Sequence, residues 1–130
     1  MFAAKVMRNY DAEKEMSSKA EYNLMKEIKP HPNITSVEEF IATENWTYTI
    51  MELAEGLELQ DYIFKNSEKM TISIIKDMTK QLLQAILHLH DQHIVHKDIK
   101  PENIMVNQIS EDLVNIKLID FNVSQVVKDD

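Results

Sequence analysis

Residues 96–122, HKDIKPENIMVNQISEDLVNIKLIDFN, are the stretch that decides the interpretation of this chain. Asp98, Lys100 and Asn103 stand in a polar segment, and two short apolar runs follow at 104–106 and 114–119. The polar turn NQISED separates these runs, so we expect a β-hairpin. Asp120 comes directly after the second run. The pattern therefore predicts one loop and one hairpin end that carry four polar side chains.

Composition and charge restrict the class of protein. The chain has 130 residues, enough for one domain, and its net charge is −8, from 14 basic and 22 acidic residues. This sign argues against non-specific binding to nucleic acid or to an anionic membrane. No apolar run approaches the roughly 20 residues of a membrane span, and no signal peptide is evident. Together with the absence of cysteine, this leads us to expect a soluble, cytoplasmic protein.

Apolar periodicity predicts an α+β protein. We expect a buried strand at 2–7, a helix over 11–28, strands between 34 and 50 with a turn at Glu44 and Asn45, and a short helix at 60–65. A longer helix is expected to begin with Thr71 as its N-cap. The first long helix is expected to bury the residues Met16, Ala20, Leu24 and Ile28. The second is expected to bury Ile75, Met78, Leu82, Ile86 and Leu89.

Polar residues of this kind suit phosphoryl transfer from ATP. The reaction needs a carboxylate that orients the attacking hydroxyl group and accepts its proton, and a cation that offsets charge on the moving phosphoryl group. It also needs oxygen ligands for Mg²⁺. Carboxylate, ammonium and amide groups are all present in residues 96–122.

The segments HKDIKPEN and IDFN resemble the catalytic loop and the metal-binding triplet of eukaryotic protein kinases. This resemblance implies a two-lobe, protein kinase-like fold that uses ATP and Mg²⁺ and acts on a protein substrate. It makes Asp98 the catalytic base and Lys100 the cation at the γ-phosphate, while Asn103 and Asp120 would ligate Mg²⁺. The KPEN form is similar to serine/threonine kinases rather than tyrosine kinases.

Other segments extend the resemblance in the expected order. AAK at 3–5 resembles the third strand of the family, HPNI at 31–34 resembles the turn after its first helix, and YTIMELAEGLEL resembles its fifth strand and hinge. The implied ATP-binding residues are Lys5 at the α and β phosphates, Glu21 as the partner of Lys5, Met51 as gatekeeper, Glu52 and Ala54 with backbone groups at adenine, Glu58 near the ribose and Met105 under the adenine. His96, Phe121, Met25 and Val37 are implied to form a buried column that links the lobes.

Two positions depart from the family pattern. Lys97 stands where the family usually has an arginine, which removes the bidentate fork that grips a phosphorylated activation loop. Asn122 stands where the family has the glycine of the metal-binding triplet. We expect asparagine to be tolerated there, because it adopts positive φ more readily than most residues.

The resemblance covers a partial kinase domain. It divides the chain into an N-lobe part at 1–51, a hinge at 52–56 and the start of a C-lobe at 57–130. Gly56 is the only glycine, so these residues include no glycine-rich phosphate loop. We therefore expect this chain alone to transfer phosphate poorly, and we expect a completing kinase segment or a regulatory protein as a partner.

Two alternatives belong to other classes. The chain could be a non-catalytic, kinase-like fragment that docks on a partner through its unsatisfied apolar faces. Four histidines between 88 and 96 raise the question of a zinc site. However, His88 and His90 are two residues apart on a predicted helix and point to different sides, which argues against zinc binding.

Overall fold

The computed structural model describes residues 1–128. The elements in chain order are β1 (Phe2–Arg8), α1 (Ala12–Glu27), β2 (Val37–Ala42), β3 (Trp46–Glu52), β4 (Leu57–Glu58), α2 (Leu59–Lys65), α3 (Ile72–His90), β5 (Ile94–Val95), β6 (Ile104–Gln108), β7 (Val114–Leu118) and β8 (Gln125–Val126). The predicted α+β character and element order are confirmed. Within the described residues, no helix has both the length and the apolar character that crossing a membrane requires.

The N-terminal sheet is antiparallel and has the strand order β1–β3–β2. Strands β2 and β3 form a hairpin whose turn is closed by Thr43 N–H, which donates to Trp46 O at 2.8 Å. Strand β1 was expected to be buried, and this is wrong, because only alternate residues are covered: Phe2 and Val6 are 63% and 49% exposed. Lys5 lies on the covered face, opposite Thr49 of β3. One face of the sheet therefore directs Lys5 toward α1.

The C-terminal sheet holds the predicted hairpin. Strands β6 and β7 pair antiparallel from Ile104 and Leu118 to Gln108 and Val114, and β4 pairs with the other edge of β6. Alternate residues of β7 (Val114, Ile116 and Leu118) are buried. Helix α3 begins at its predicted N-cap, where Thr71 Oγ1 accepts a hydrogen bond from Ile74 N–H at 3.2 Å. This hairpin ends two residues before Asp120, so it fixes the position of that carboxylate.

The buried faces of both long helices differ from the predicted ones. In α1, Met16 is 72% exposed and Ala20 is exposed, whereas the buried residues are Ser18, Glu21 and Met25. The apolar repeat predicted the wrong buried face, because α1 faces the side of the sheet that carries Lys5, Thr47 and Thr49, where small and polar side chains meet. In α3, Ile75 is 47% exposed and Ile74 is buried instead, while Met78 and Leu89 are buried as expected.

Residues 33–36 join the two sheets. Leu118 N–H donates to Asn33 O at 2.8 Å, and Thr35 N–H donates to Leu118 O at 3.1 Å. On the other side, Glu52 N–H donates to Ser36 O at 2.9 Å. Residues 33–36 thus connect the chain after α1 to both β7 and the end of β3.

The only glycine stands where the chain passes from the first sheet to the second. Gly56 has φ of +102°, and a Cβ atom built on it would lie 2.0 Å from Val106 O. A side chain at this position is therefore excluded both by backbone conformation and by contact with β6.

Gly56→Ala is expected to lower the free energy of unfolding by more than about 2 kcal/mol, because strain at positive φ adds to the backbone clash. Urea unfolding with an unchanged m-value measures this. Glu55→Ala, at the exposed neighbouring position, serves as the control and should change stability by less than about 0.5 kcal/mol. Equal stabilities for the two variants would contradict the assignment.

Candidate active site

A cleft of about 320 Å³ opens between the two sheets. Seven of the predicted site residues line it: Lys5, Glu21, Met51, Glu52, Ala54, Met105 and Asp120. Residues from both sheets and from α1 contribute, so the cleft exists only in the folded chain. Its lining combines apolar side chains with a lysine and three carboxylates, a composition that suits a ligand with an apolar ring and a charged end.

Lys5 and Glu21 form the central ion pair of the cleft. Lys5 Nζ donates to both carboxylate oxygens of Glu21, at 3.0 and 2.8 Å. The side chain of Glu21 is 7% exposed and that of Lys5 is 30% exposed. Asp120 Oδ1 lies 3.8 Å from the same Nζ atom. Because Lys5 is held between two carboxylates, its ammonium group is fixed at the mouth of the cleft.

The loop after β5 brings together Asp98, Lys100 and Asn103. Asn103 Nδ2 donates to Asp98 O and to Asp98 Oδ2, both at 3.0 Å. Lys100 Nζ lies 3.4 Å from Asp98 Oδ2. Asn103 is buried, Asp98 is half-buried and Lys100 is exposed, so a buried amide orients a carboxylate that solvent can still reach.

His96 supports this loop from the interior. Asp98 N–H donates to His96 Nδ1 at 3.1 Å, and His96 Nε2 lies 3.4 Å from Ile119 O. Because a backbone N–H can only donate and a carbonyl can only accept, the neutral ring carries its proton on Nε2. Burial lowers the pKa of His96 below its usual value of 6.5, although the carbonyl group of Ile119 and the nearby carboxylates act in the opposite direction.

The four side chains of the expected column are all buried. The His96 and Phe121 rings meet edge to face, with centroids 4.8 Å apart. Met25 and Val37 are 4% and 5% exposed, and Phe121 is 1% exposed. The aromatic pair anchors the segment that carries Asp120 to the loop that carries Asp98.

The backbone around Asp120 differs from the expectation for Asn122. Positive φ occurs at Asp120 itself (+60°), and Asn122 is not among the described residues with positive φ. Asn122 N–H donates to Asp120 Oδ1 at 3.1 Å. Asparagine is therefore tolerated here because the turn does not require a left-handed residue at 122. Ile119 N–H donates to Asn103 O at 2.9 Å, which holds Asn103 close to the Asp120 segment.

Lys97 lies on the opposite side of this loop. It has φ of +69°, and its Nζ donates to Gln125 Oε1 at 3.1 Å. Strands β5 and β8 pair next to it, and Ser124 Oγ donates to His96 O at 3.1 Å. Lys97 thus contacts the segment after Asp120 through a neutral amide.

Some residues of the site were missed by sequence reasoning. Thr35, Leu53 and Ile119 also line the cleft. Lys117 forms an ion pair with Glu52, the last residue of β3. The alternation of side chains along β7 could have identified Lys117. It stands between the buried residues Ile116 and Leu118 and therefore points to the other face of the strand.

Glu58 is the one predicted ATP-binding residue that does not line the cleft. It is exposed and pairs with Met105 across β4 and β6, beside the lining. Across the described part of the chain, His, Cys, Asp and Glu do not gather in a group of three that could hold a metal ion.

The lowered pKa of His96 predicts a pH dependence of stability. The unfolded chain binds a proton at this ring below about pH 6.5, whereas the folded chain resists it, so the free energy of unfolding should fall as pH drops below 6.5. His31 contributes with the same sign, because burial and His88 lower its pKa. His96→Phe should therefore reduce the slope of stability against pH without removing it. His90→Phe, at an exposed ring, should keep the full slope in thermal melts between pH 5 and 8, and equal slopes in all three proteins would contradict the prediction.

Comparisons with known proteins agree with this geometry. The sequence model of the protein kinase domain matches residues 1–130. The probable serine/threonine-protein kinase fhkD of Dictyostelium discoideum is 36% identical over 109 residues, which cover 83% of this chain and 14% of that protein. Serine/threonine-protein kinase DCLK3 of Mus musculus is 38% identical over 100 residues, covering 75% of this chain and 12% of that protein.

A probable myosin light chain kinase of Dictyostelium discoideum is 36% identical over 122 residues, covering 91% of this chain and 38% of that protein. The chain thus spans well under half the length of each of these relatives. Since a match to the kinase domain extends over residues 1–130 and coincides with the cleft, the ion pair and the loop described above, the chain belongs to the protein kinase family.

Proposed function

We propose that this chain forms the nucleotide-binding and catalytic part of a serine/threonine protein kinase, which transfers the γ-phosphoryl group of ATP to a Ser or Thr hydroxyl group of a protein. The observation that carries the proposal is the pairing of Lys5 with Glu21 at 2.8 and 3.0 Å, with Asp120 at 3.8 Å, inside one cleft between two sheets. The names of the three relatives support the same class, because two are called serine/threonine-protein kinases and one a myosin light chain kinase.

Lys5 contacts the α and β phosphates of ATP. An ammonium group that is partly desolvated and fixed by Glu21 attracts phosphate oxygens more strongly than a freely moving lysine does, because no ordering of the side chain is needed at binding. Glu21 is therefore a positioning residue, and its 7% exposure explains why it stays with Lys5.

Asp120 and Asn103 fit the requirements of Mg²⁺. The Asp120 side chain is 38% exposed at the cleft. The amide nitrogen of Asn103 is used in hydrogen bonds to Asp98, which leaves its carbonyl oxygen as the ligand atom. Carboxylate and amide oxygens are the donors that Mg²⁺ prefers. When bound, Mg²⁺ neutralises charge on the transferring phosphates.

Asp98 acts as the base of the transfer step. The hydroxyl oxygen of the substrate attacks the γ-phosphorus atom, its proton passes to the Asp98 carboxylate, and ADP leaves. Asn103 holds Asp98 Oδ2 by a hydrogen bond of 3.0 Å, and Lys100 lies 3.4 Å from the same oxygen. Lys100 is thus close enough to offset charge on the γ-phosphoryl group as it moves toward the hydroxyl.

The rest of the cleft receives the nucleoside. Met51 and Met105 offer apolar contacts to adenine, and the backbone groups of Glu52 and Ala54 offer hydrogen bonds to it, since all four residues line the cleft. Glu58 stands beside the lining and contacts the ribose. In this proposal residues 1–51 belong to the N-lobe, 52–56 to the hinge and 57–130 to the C-lobe, and the protein acts in the cytoplasm on a protein substrate, together with a completing kinase segment or a regulatory protein.

Mg-ATP should stabilise the purified chain. At a Mg-ATP concentration one hundred times the Kd, the gain in unfolding free energy is about 2.7 kcal/mol, visible as a raised Tm. Lys5→Met and Asp120→Asn should lose most of this shift, because each removes a group that contacts the phosphates or the metal.

Asp112→Asn is the matched control for that experiment, since Asp112 is an exposed aspartate in the turn between β6 and β7. It should keep the full shift. If Mg-ATP leaves the Tm of the parent chain unchanged, the alternative function is favoured, a kinase-like docking module that binds no nucleotide. Exposed apolar side chains on α3 (Ile72, Leu83 and Leu87, at 73%, 59% and 60%) are the observation on which that reading depends.

Asp98→Asn should separate binding from turnover. In the chain together with its completing kinase segment, we expect phosphoryl transfer to fall by about 10² to 10⁴, the usual contribution of a positioned base. The Mg-ATP shift in Tm should stay, because Asp98 does not line the nucleotide cleft. Radiolabel transfer to a protein substrate measures the rate, and a variant with unchanged turnover would show that Asp98 is not the base.

A further inference from the structure

Helix α1 carries Glu21 and makes its apolar contacts only in its second half. Met25 is buried there, and Tyr22 and Leu24 are partly buried against the core. The first half contributes no buried apolar side chain, since Met16 is 72% exposed. Because apolar burial is what normally holds a helix in place, the position of α1, and with it the Lys5–Glu21 pair, depends on contacts at the C-terminal end of the helix.

The anchor is a pair of side chains from α3 and the turn that follows it. Just beyond α1, Lys29 N–H donates to Gln92 Oε1 at 2.9 Å, and His88 Nε2–H donates to Lys29 O at 2.7 Å. Gln92 Nε2 donates in turn to His88 O at 2.8 Å. Both backbone groups of Lys29 are thus satisfied by two side chains, and the Gln92 side chain is in turn held by the backbone carbonyl group of His88.

We propose that His88 and Gln92 are positioning residues that clasp the backbone of Lys29 and so hold α1, and through it Glu21, in register with the C-terminal sheet. The clasp lies just beyond the end of α1, on the C-terminal side of Glu21, and outside the nucleotide cleft. Its consequence for phosphate binding rests on the proposed kinase function, whereas the clasp itself does not.

A ring contact reinforces the clasp. The His31 and His88 rings have centroids 4.7 Å apart, and Asn33 N–H donates to His31 Nδ1 at 3.1 Å. His31 must stay unprotonated at Nδ1 to accept this bond. The cavity beside His31 is lined by the cations Lys26, Lys29 and Lys117 and by one carboxylate, Glu52, which is paired with Lys117. These surroundings favour neutral His31, so the contact is intact near neutral pH.

Hydrogen exchange of backbone amides in the nucleotide-free chain tests the proposal. Loss of clasp hydrogen bonds, one in His88→Phe and two in Gln92→Ala, should speed exchange of the α1 amides about tenfold, the change that corresponds to one or two hydrogen bonds. The amides of β6 and β7 should keep their protection. Gln92→Glu retains the acceptor for Lys29 N–H and should restore part of the α1 protection.

His90→Phe, which replaces an exposed ring in the same last turn of α3, should leave exchange in α1 unchanged. Unchanged α1 exchange in both clasp variants would overturn the proposal. So would an equal increase in β6 and β7, because that result would show general destabilisation. Since no nucleotide is present, these outcomes are independent of whether the chain binds Mg-ATP.

The titration of His31 provides a second measurement. His88 and burial both lower the pKa of His31, so His88→Phe should raise it toward 6.5 while His90→Phe should not. Histidine ring resonances followed by NMR between pH 4 and 8 report this directly. An unchanged His31 titration in His88→Phe would mean that the two rings do not meet in solution, which would contradict the arrangement.

Discussion

The functional geometry depends on the short segment 33–36, which is hydrogen-bonded to both sheets. On one side it exchanges two backbone hydrogen bonds with Leu118, two residues before Asp120. On the other side, Ser36 O accepts a hydrogen bond from Glu52 N–H at the end of β3. The segment is further fixed by Gln81, whose Oε1 accepts from Asn33 Nδ2 at 2.8 Å and from Ile116 N–H at 3.0 Å. Because one segment sets the distance between the sheets, it also sets the width of the cleft.

Charge is concentrated in that cleft at a cost in stability. Burying Glu21 would be unfavourable if Lys5 did not neutralise it, and the bidentate contact makes the pair tolerable in a partly desolvated place. The same face of α1 then cannot be a continuous apolar stripe. Strong apolar burial is found instead in the C-terminal sheet, where Val106, Ile116 and Leu118 are at most 1% exposed. The more deeply buried sheet thus leads into the segment that carries Asp120, whereas the less buried strand β1 and helix α1 supply Lys5 and Glu21.

Sequence reasoning was accurate for local structure that is specified by local chemistry. The hairpin at 104–118, the N-cap at Thr71 and the order of strands and helices were predicted correctly, because turn residues and caps act within a few positions. The family was also predicted from motifs, and the match over residues 1–130 confirms it. The roles of Asp98, Lys100, Asn103 and the ATP-binding residues stay predictions, and all of these residues except Glu58 lie in one cleft or one loop.

The sequence by itself determined the fold class and the family, because apolar periodicity, caps and motifs can be recognised along the chain, and it named most of the residues that line the cleft. The tertiary structure alone decided which faces of α1 and α3 are buried, since that depends on what each helix meets: Glu21 lies inward because Lys5 is across from it, and Ile74 displaces Ile75 because the C-terminal sheet lies on that side. It also decided that Asp120, not Asn122, adopts positive φ, and that Lys117 pairs with Glu52. These are contacts between residues far apart in the chain, and no local pattern specifies them.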